Sequence, residues 1–333
     1  MKRLLMGIRP TGIFHLGHYV GNMQDQLRLQ NEYENFCIIA DLHCLTTQPE
    51  KQYISKIPEN ISKSILDYLS VGMDLKKSNM YLQSAIFQVY KMNLICEMLT
   101  TVKRLEKVTN IKTMAKAAGM KAVSFGLLGY PVLQAADILL LRADSVLIGQ
   151  DESPQIVVAQ EIAQRFNYMY NKIFSIPEII IGKGKILIGL DGKNKMSDSL
   201  DNAIYISDTA QTVKKKLAAV SLSRDRIENN PLFIYNDIFN PNFEEKIKLK
   251  EFYLKRRINE GEVKRKVAEV INKFLDPFRE RRCIYEKQPN LVKEFLIAGT
   301  QRVQEEAKKT MEMVQEAMNY REINNLLKDL SSA

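Results

Sequence analysis

Two short strings carry residue types suited to gripping phosphate: His15-Leu16-Gly17-His18 near the start, and Lys195-Met196-Ser197-Asp198-Ser199 in the second half. The first follows an apolar run over 4–8 and a turn at Pro10-Thr11-Gly12. Strand, turn, then helix puts free backbone N–H groups and the positive end of a helix at the mouth of the turn, where an anion binds well. Gly17 has no side chain, so a planar base or a sugar can lie against the backbone there. His15 and His18, three residues apart, can both donate to phosphate oxygens. The same spacing also fits a metal pair or two ordinary surface histidines. The second string lies in a Gly-rich stretch over 189–201. A mobile loop carrying Lys195, with Ser197 and Ser199 as hydroxyl donors, can meet the negative charge that builds on a departing phosphate group. The plainer alternative is an exposed, lysine-rich turn.

These strings need elements to hold them. Residues 4–8, 36–40, 80–82 and 145–148 are short apolar runs bounded by polar or turn residues, the pattern of buried parallel strands. Helical spacing fills the gaps. Ile54, Ile57, Ile61, Ile65 and Leu69 form one apolar stripe, and 92–102 and 154–166 also read as helices. Alternating strands and helices predict an α/β fold with a doubly wound parallel sheet. After Asp208 the strand patterns stop, and 209–220, 243–259, 261–275 and 291–331 read as an all-α C-terminal part. Val303, Ala307, Met311, Val314 and Met318 stripe its last helix. Pro231, Pro241, Pro277 and Pro289 are placed between helices. The shift near residue 205 marks the expected domain boundary.

With 333 residues, 45% of them hydrophobic, the chain can bury one large domain and a smaller one. No apolar run approaches the roughly 18 residues of a membrane span, and 1–3 lead directly into a strand pattern without the features of a signal peptide. A cytoplasmic location is therefore expected. Cys37, Cys44, Cys96 and Cys283 are scattered without a C-x-x-C pair, which predicts reduced thiols and no zinc, iron–sulfur or other metal site in the protein itself. The net charge of +9 permits a polyanionic partner. Between Lys246 and Lys266 nine basic residues face three acids. That run is either a solvated helix face or a set of phosphate contacts to RNA.

Asp137 stands among Ala135, Ala136, Ile138, Leu139 and Leu140. A carboxylate in such surroundings needs a partner, and a salt bridge or a surface position is the plain alternative to a ligand. In order and spacing, the two phosphate-gripping strings resemble the HIGH and KMSKS elements of class I aminoacyl-tRNA synthetases. The resemblance runs through Gly7-Ile8-Arg9-Pro10-Thr11-Gly12, Tyr130-Pro131-Val132-Leu133-Gln134-Ala135-Ala136-Asp137-Ile138, Gly149-Gln150-Asp151 and Gly189-Leu190-Asp191-Gly192. It covers nearly the whole chain and is to the bacterial type of the tryptophanyl-tRNA synthetase family. The Ala-Ala-Asp-Ile segment separates that group from tyrosyl relatives.

The resemblance implies a Rossmann-like catalytic domain over 1–205 with a dimer-forming insertion at about 85–120. It implies a helical anticodon-binding domain over 206–290 and a C-terminal helix over 291–333 that packs back on the catalytic domain. The implied reaction activates L-tryptophan with ATP, Mg2+ riding on the phosphates, and then charges tRNA(Trp). The implied assembly is a homodimer, with neither membrane nor DNA as a partner. Arg9, Pro10, Thr11, Gly17, His18, Gly149, Gln150, Asp151, Leu187 and Lys195, Met196, Ser197, Asp198 and Ser199 are expected to bind ATP. His15, His18, Lys195, Ser197 and Ser199 are expected to be catalytic. Asp137 is expected to accept the indole N–H, with Gln134, His43, Gly7, Tyr130, Val146 and Ile148 around the ring. Phenylalanine would leave that carboxylate unpaired, and tyrosine would place its hydroxyl elsewhere. Phe233, Tyr235 and the basic run from Lys246 are candidates to touch tRNA.

Two departures stand out. The family has a second lysine where this chain has Asp198, and an acid beside a triphosphate repels it, less so in an exposed loop. Glu152 stands where many bacterial relatives have Gln. Activation of tyrosine, and a relative that binds tryptophan or tRNA but adenylates poorly, are the alternatives that exchange assays must separate.

Overall fold

A computed structural model describes residues 1–149, 152–224 and 227–320. Its centre is a sheet of five parallel strands: β1 (Arg3–Ile8), β2 (Glu34–Ile39), β3 (Ser78–Leu82), β4 (Ser145–Ile148) and β5 (Glu178–Ile181). Their order is β3-β2-β1-β4-β5, so the chain reverses its direction of winding between β1 and β4. That crevice, at the carboxyl ends of the strands, is where doubly wound sheets bind ligands. Four of the strands contain the apolar runs read from the sequence. β5 escaped because it pairs on one side only and keeps both ends exposed.

Strand alternation sorts side chains into two apolar layers. Leu4, Met6, Cys37, Ile39, Met80 and Leu147 enter one layer, while Leu5, Phe36, Ile38, Tyr81, Val146 and Ile148 enter the other. Helices cover both faces. α1 (Leu16–His18) runs through a π turn (Tyr19–Met23) into α2 (Gln24–Leu29). α3 (Asp41–Leu45), α4 (Lys51–Ile54) and α5 (Ile57–Val71) join β2 to β3. α6 (Gln88–Met98), α7 (Val102–Leu105), α8 (Asn110–Ala117), α9 (Phe125–Leu128) and α10 (Tyr130–Leu140) join β3 to β4, and α11 (Ser153–Met169) leads to β5.

The remaining helices are α12 (Ala210–Ala218), α13 (Pro231–Phe239), α14 (Phe243–Leu254), α15 (Glu260–Glu286) and α16 (Pro289–Ala317). Side-chain caps start four of them. Thr209, Asn230, Asn242 and Asn259 each accept a backbone N–H from the first turn, and Glu262 reaches back to the Asn259 N–H. α12 to α15 share the layer that holds Leu4 and Met6, so the helical segment packs into the same core as one sheet face. α16 crosses from Val292 in that layer to Val303, Ala307 and Val314 in the other. It covers the edge of β3. Gly299 is required there, since a Cβ would lie 2.0 Å from the Met80 carbonyl oxygen.

Several expected boundaries move. Pro277 lies inside α15, not between helices. Its missing N–H costs one helical bond, but Leu275 and Phe278 on either side are buried, and the Arg279 guanidinium donates to Asn272 O and Oδ1 across the break. Pro231 and Pro289 begin helices, where a missing N–H costs nothing. Helix α13 carried no expectation, because its mostly apolar residues show no clear stripe. Ile54 belongs to the separate α4 and is exposed rather than part of the stripe on α5. The helix expected over 243–259 stops at Leu254, ahead of Arg256 in the left-handed region at φ 56°. Residues 321–331 of the last expected helix lie outside the described residues.

Candidate active site

The carboxyl ends of β1 and β4 open into a cleft of about 750 Å3. The first string forms one wall. After β1, Thr11 N–H closes a tight turn on Arg9 O at 2.8 Å. Residues 14–16 then pair with 204–206: Leu16 N–H donates to Ile204 O and Ile206 N–H to Phe14 O, both at 2.9 Å. Phe14 N–H also donates to the buried carboxylate of Asp67, which Arg282 of α15 neutralises.

The two histidine rings stack with centroids 3.8 Å apart. His15 N–H donates to His18 Nδ1 at 3.2 Å, which puts the proton of neutral His18 on Nε2. Burial, followed by the charge of Lys195, depresses His15 to about 4. Burial, then His15 and Lys195, lowers His18 as well. Both rings are therefore neutral at pH 7, and each offers a single N–H. Gly17 is crowded chiefly by the His15 ring and then by the second string: a Cβ there would stand 2.9 Å from His15 Nδ1 and 3.3 Å from Met196 Cβ.

The second string is pinned rather than loose. Met196 is buried, and its N–H donates to Leu187 O at 2.8 Å. Asn202 is the hub: its Oδ1 accepts Ser197 N–H at 2.8 Å, and its Nδ2 reaches Asp191 Oδ2 and Lys195 O at 3.2 and 3.3 Å. Asp191 gathers the N–H groups of Lys193 and Asn194, and hydrogen bonds from Asn194 and its neighbours hold it at about 2. Ser197 and Ser199 hydroxyls lie 2.9 Å apart, and the Tyr205 hydroxyl donates to Asp198. The sequence reading missed Asn202 and Tyr205, because side chains just beyond a motif give no periodic signal.

Opposite these strings, α10 carries Asp137 to the cleft floor. Its Oδ2 accepts His43 Nε2 at 3.0 Å and Gln83 Nε2 at 2.8 Å. Burial raises its pKa, and the bonds from His43 and Gln83 work against that rise. The Tyr130 ring meets His43 edge-on at 4.6 Å. Among the described residues, three buried polar atoms here have no protein partner: His43 Nδ1, Gln83 Oε1 and Gln134 Oε1. Such orphans are costly unless a ligand or water meets them. Gln83 was missed, although its place just after β3, at the carboxyl end of a parallel strand, was a usable signal.

Gly7, Arg9, Thr11, His15, Gly17, His18, His43, Tyr130, Gln134, Asp137, Ile148, Gly149 and all five residues from Lys195 to Ser199 line the one cleft. Pro10 instead lines a neighbouring hollow of about 160 Å3 with Tyr53, Lys56 and Asn60. Val146 is not among the residues that line the cleft, and its side chain is enclosed by the core. Leu187 is buried as well and acts through its carbonyl. Gln150 and Asp151 lie outside the described residues. Glu152 lines the cleft and accepts Gly149 N–H at 3.2 Å. Phe233 and Tyr235 are buried core residues of α13, so neither stacks on a base. In the basic run Lys248, Lys250, Lys255, Lys264 and Arg265 pair with neighbouring acids. Such exposed pairs are weak enough to exchange for phosphates.

Residues 1–276 match the family of class I tRNA synthetases for W and Y. The chain is 44% identical over 326 residues to the tryptophan–tRNA ligase of Treponema pallidum (strain Nichols), covering 96% of this chain and 97% of that one. It is also 44% identical over 328 residues to the tryptophan–tRNA ligase of Borreliella burgdorferi, covering 95% and 93%. The tryptophanyl-tRNA synthetase of Campylobacter jejuni, solved with ADP and tryptophan, superposes with a TM-score of 0.85 at 29% identity, covering 95% of this chain and 99% of that one. With two phosphate-gripping strings, a doubly wound sheet and these likenesses, the chain belongs to the class I tRNA synthetases of the tryptophan and tyrosine group.

Proposed function

We propose that the chain is a tryptophan–tRNA ligase working in this cleft. The observation that carries the reading is Asp137: a desolvated carboxylate held by His43 and Gln83, facing the same cavity as both phosphate-gripping strings. An indole N–H supplies the donor that such an acceptor needs. The tryptophan carboxylate attacks the α-phosphate of ATP in line. The bond to the β-phosphate bridge breaks, pyrophosphate leaves, and tryptophanyl-AMP remains. The 2′-hydroxyl of the 3′-terminal adenosine of tRNA(Trp) then attacks the acyl carbon, and AMP departs.

Neither step needs a protein nucleophile, so positioning and charge stabilisation supply the rate. Neutral His15 and His18 donate to the triphosphate, and Gly17 lets the nucleotide lie close to α1. Lys195, with Ser197 and Ser199, meets charge as it grows on the leaving pyrophosphate. Arg9 and Thr11 shape the preceding turn, and Gly149 meets the ribose. Mg2+ bound with the substrate ATP would shield the charge of its phosphates.

Helices over 206–290 are assigned to the anticodon and 291–333 to packing against the catalytic part. Tyr90, Leu94 and Met98 recur on α6 and are exposed, as is Phe87 at its N-cap. That apolar stripe supports the segment at about 85–120 as the surface of a homodimer. No helix among the described residues is long and apolar enough to cross a membrane.

The test is pyrophosphate–ATP exchange with tryptophan, tyrosine or phenylalanine alone. Exchange driven by tryptophan is expected, and exchange driven by tyrosine overturns the amino-acid assignment. The chain has no tryptophan of its own, so the fluorescence of added L-tryptophan reports binding directly. Binding without exchange marks a relative that has lost adenylation.

A further inference from the structure

Asp198 breaks the family pattern with a negative charge at the edge of a site for a polyanion. Three observations give it a task. The Tyr205 hydroxyl donates a hydrogen bond to Asp198 Oδ1. Tyr205 itself is anchored: its backbone pairs with His15, its N–H donates to Asp208 Oδ2 at 2.9 Å, and Lys216 sits 4.4 Å from the centre of its ring while bonding Asp208. Asp198 Oδ2 also faces the first turn, 3.7 Å from where a Cβ on Gly12 would stand.

We propose that the Asp198–Tyr205 pair is a clasp that docks the phosphate-gripping loop on the first string, so that Asp198 is a positioning residue acting through loop placement. A lysine at this position could instead contact phosphate. Here the acid accepts a hydrogen bond from a phenol already joined, through its backbone, to His15. The pair therefore links the two strings side chain to backbone, and Lys195 and Ser197 are held in register with His15 and His18. The inference rests on reading this cleft as the ATP site.

The test is a double-mutant cycle in the full chain: Tyr205→Phe, Asp198→Ala and the double variant. Exchange should fall by about tenfold in kcat for each single change, the scale of one hydrogen bond to a charged group, and the double variant should fall no further. KM for tryptophan should stay put. Asp198→Asn keeps an acceptor oxygen without the charge and should retain most of the native rate. Trypsin should cut after Lys193 and Lys195 severalfold faster in Tyr205→Phe than in the native chain, without any nucleotide. Multiplying losses in the double variant, native behaviour of Tyr205→Phe in both assays, or an Asp198→Asn variant faster than native each overturn the clasp. A raised Mg2+ requirement in Asp198→Asn, with Tyr205→Phe unaffected, also overturns it by making the charge the contribution. The tryptic arm reads the clasp alone, whereas native exchange reads the nucleotide site, so the two failures are distinguishable.

Discussion

The proposed amino-acid end and the proposed phosphate end of the cleft are built on different principles. Asp137, His43 and Gln83 project from an α-helix, a short helix after β2 and the turn after β3, and all three are nearly inaccessible to solvent. Their geometry is set by the core, and the acceptor is in place before any ligand arrives. Lys195 to Ser199 belong to an irregular segment whose shape rests on Asn202, Asp191 and Tyr205. Selection of a flat, neutral side chain benefits from a rigid, desolvated acceptor. A cation that must follow charge as it develops benefits from a segment held by a few polar bonds that can be remade.

That contrast can be broken from either side. The largest effect is expected at Lys195. Lys195→Ala should reduce kcat for exchange by about 10²–10³-fold, as removal of other preorganised transition-state groups does, while tryptophan affinity by fluorescence stays within about twofold. Equal loss of both would place Lys195 at the amino-acid end. Asp137→Asn comes next: it presents an amide to a ligand donor, and kcat/KM for tryptophan should fall by about 10–100-fold, the scale of a charged hydrogen bond, with KM for ATP unchanged. A change in KM for ATP instead would join the two ends into one unit. Asn202→Ala should cost about tenfold in kcat by loosening the loop, since two or three local bonds are lost and remade with water. No change there would mean that the loop keeps its shape without its hub.

The last effect is read in stability against pH and not in rate. His15 falls from 6.5 unfolded to about 4 folded. The unfolded chain therefore binds the extra proton first as pH drops, and stability declines between those values by at most about 1.4 kcal/mol per pH unit. Above 6.5 the contribution is flat. Asp67 and Asp137 are raised by burial and act with the opposite sign. Chemical denaturation of the native chain and of His15→Gln over pH 4–8 isolates the histidine part by difference. Equal slopes in the two proteins would show that His15 is not desolvated in the folded state.

Much of the sheet was legible because a buried parallel strand must be apolar on both faces, and 4–8, 36–40 and 145–148 say so without reference to anything else. β5, exposed at both ends, and Pro277, held inside a long helix by its buried neighbours, were not. The two strings were likewise legible as contiguous motifs, although Leu187 contributes a backbone carbonyl, and Val146, expected beside the indole ring, is enclosed by the core. The partners of Asp137 were harder. His43 was named through resemblance, but Gln83 lies 54 positions from the acid it binds, and no local pattern links the two.

The sequence by itself determined four of the sheet's strands and most of the helices, the two strings over 15–18 and 195–199, and the demand of Asp137 for a partner. Each depends on residue type and near-neighbour spacing, which the chain carries locally. Only the tertiary structure decided that His43 and Gln83 meet that acid, that Asn202 and Tyr205 hold the loop, and that Phe233 and Tyr235 are core. Those outcomes turn on which distant segments the buried sheet and its covering helices bring within hydrogen-bonding reach, a property of packing that no stretch of chain contains.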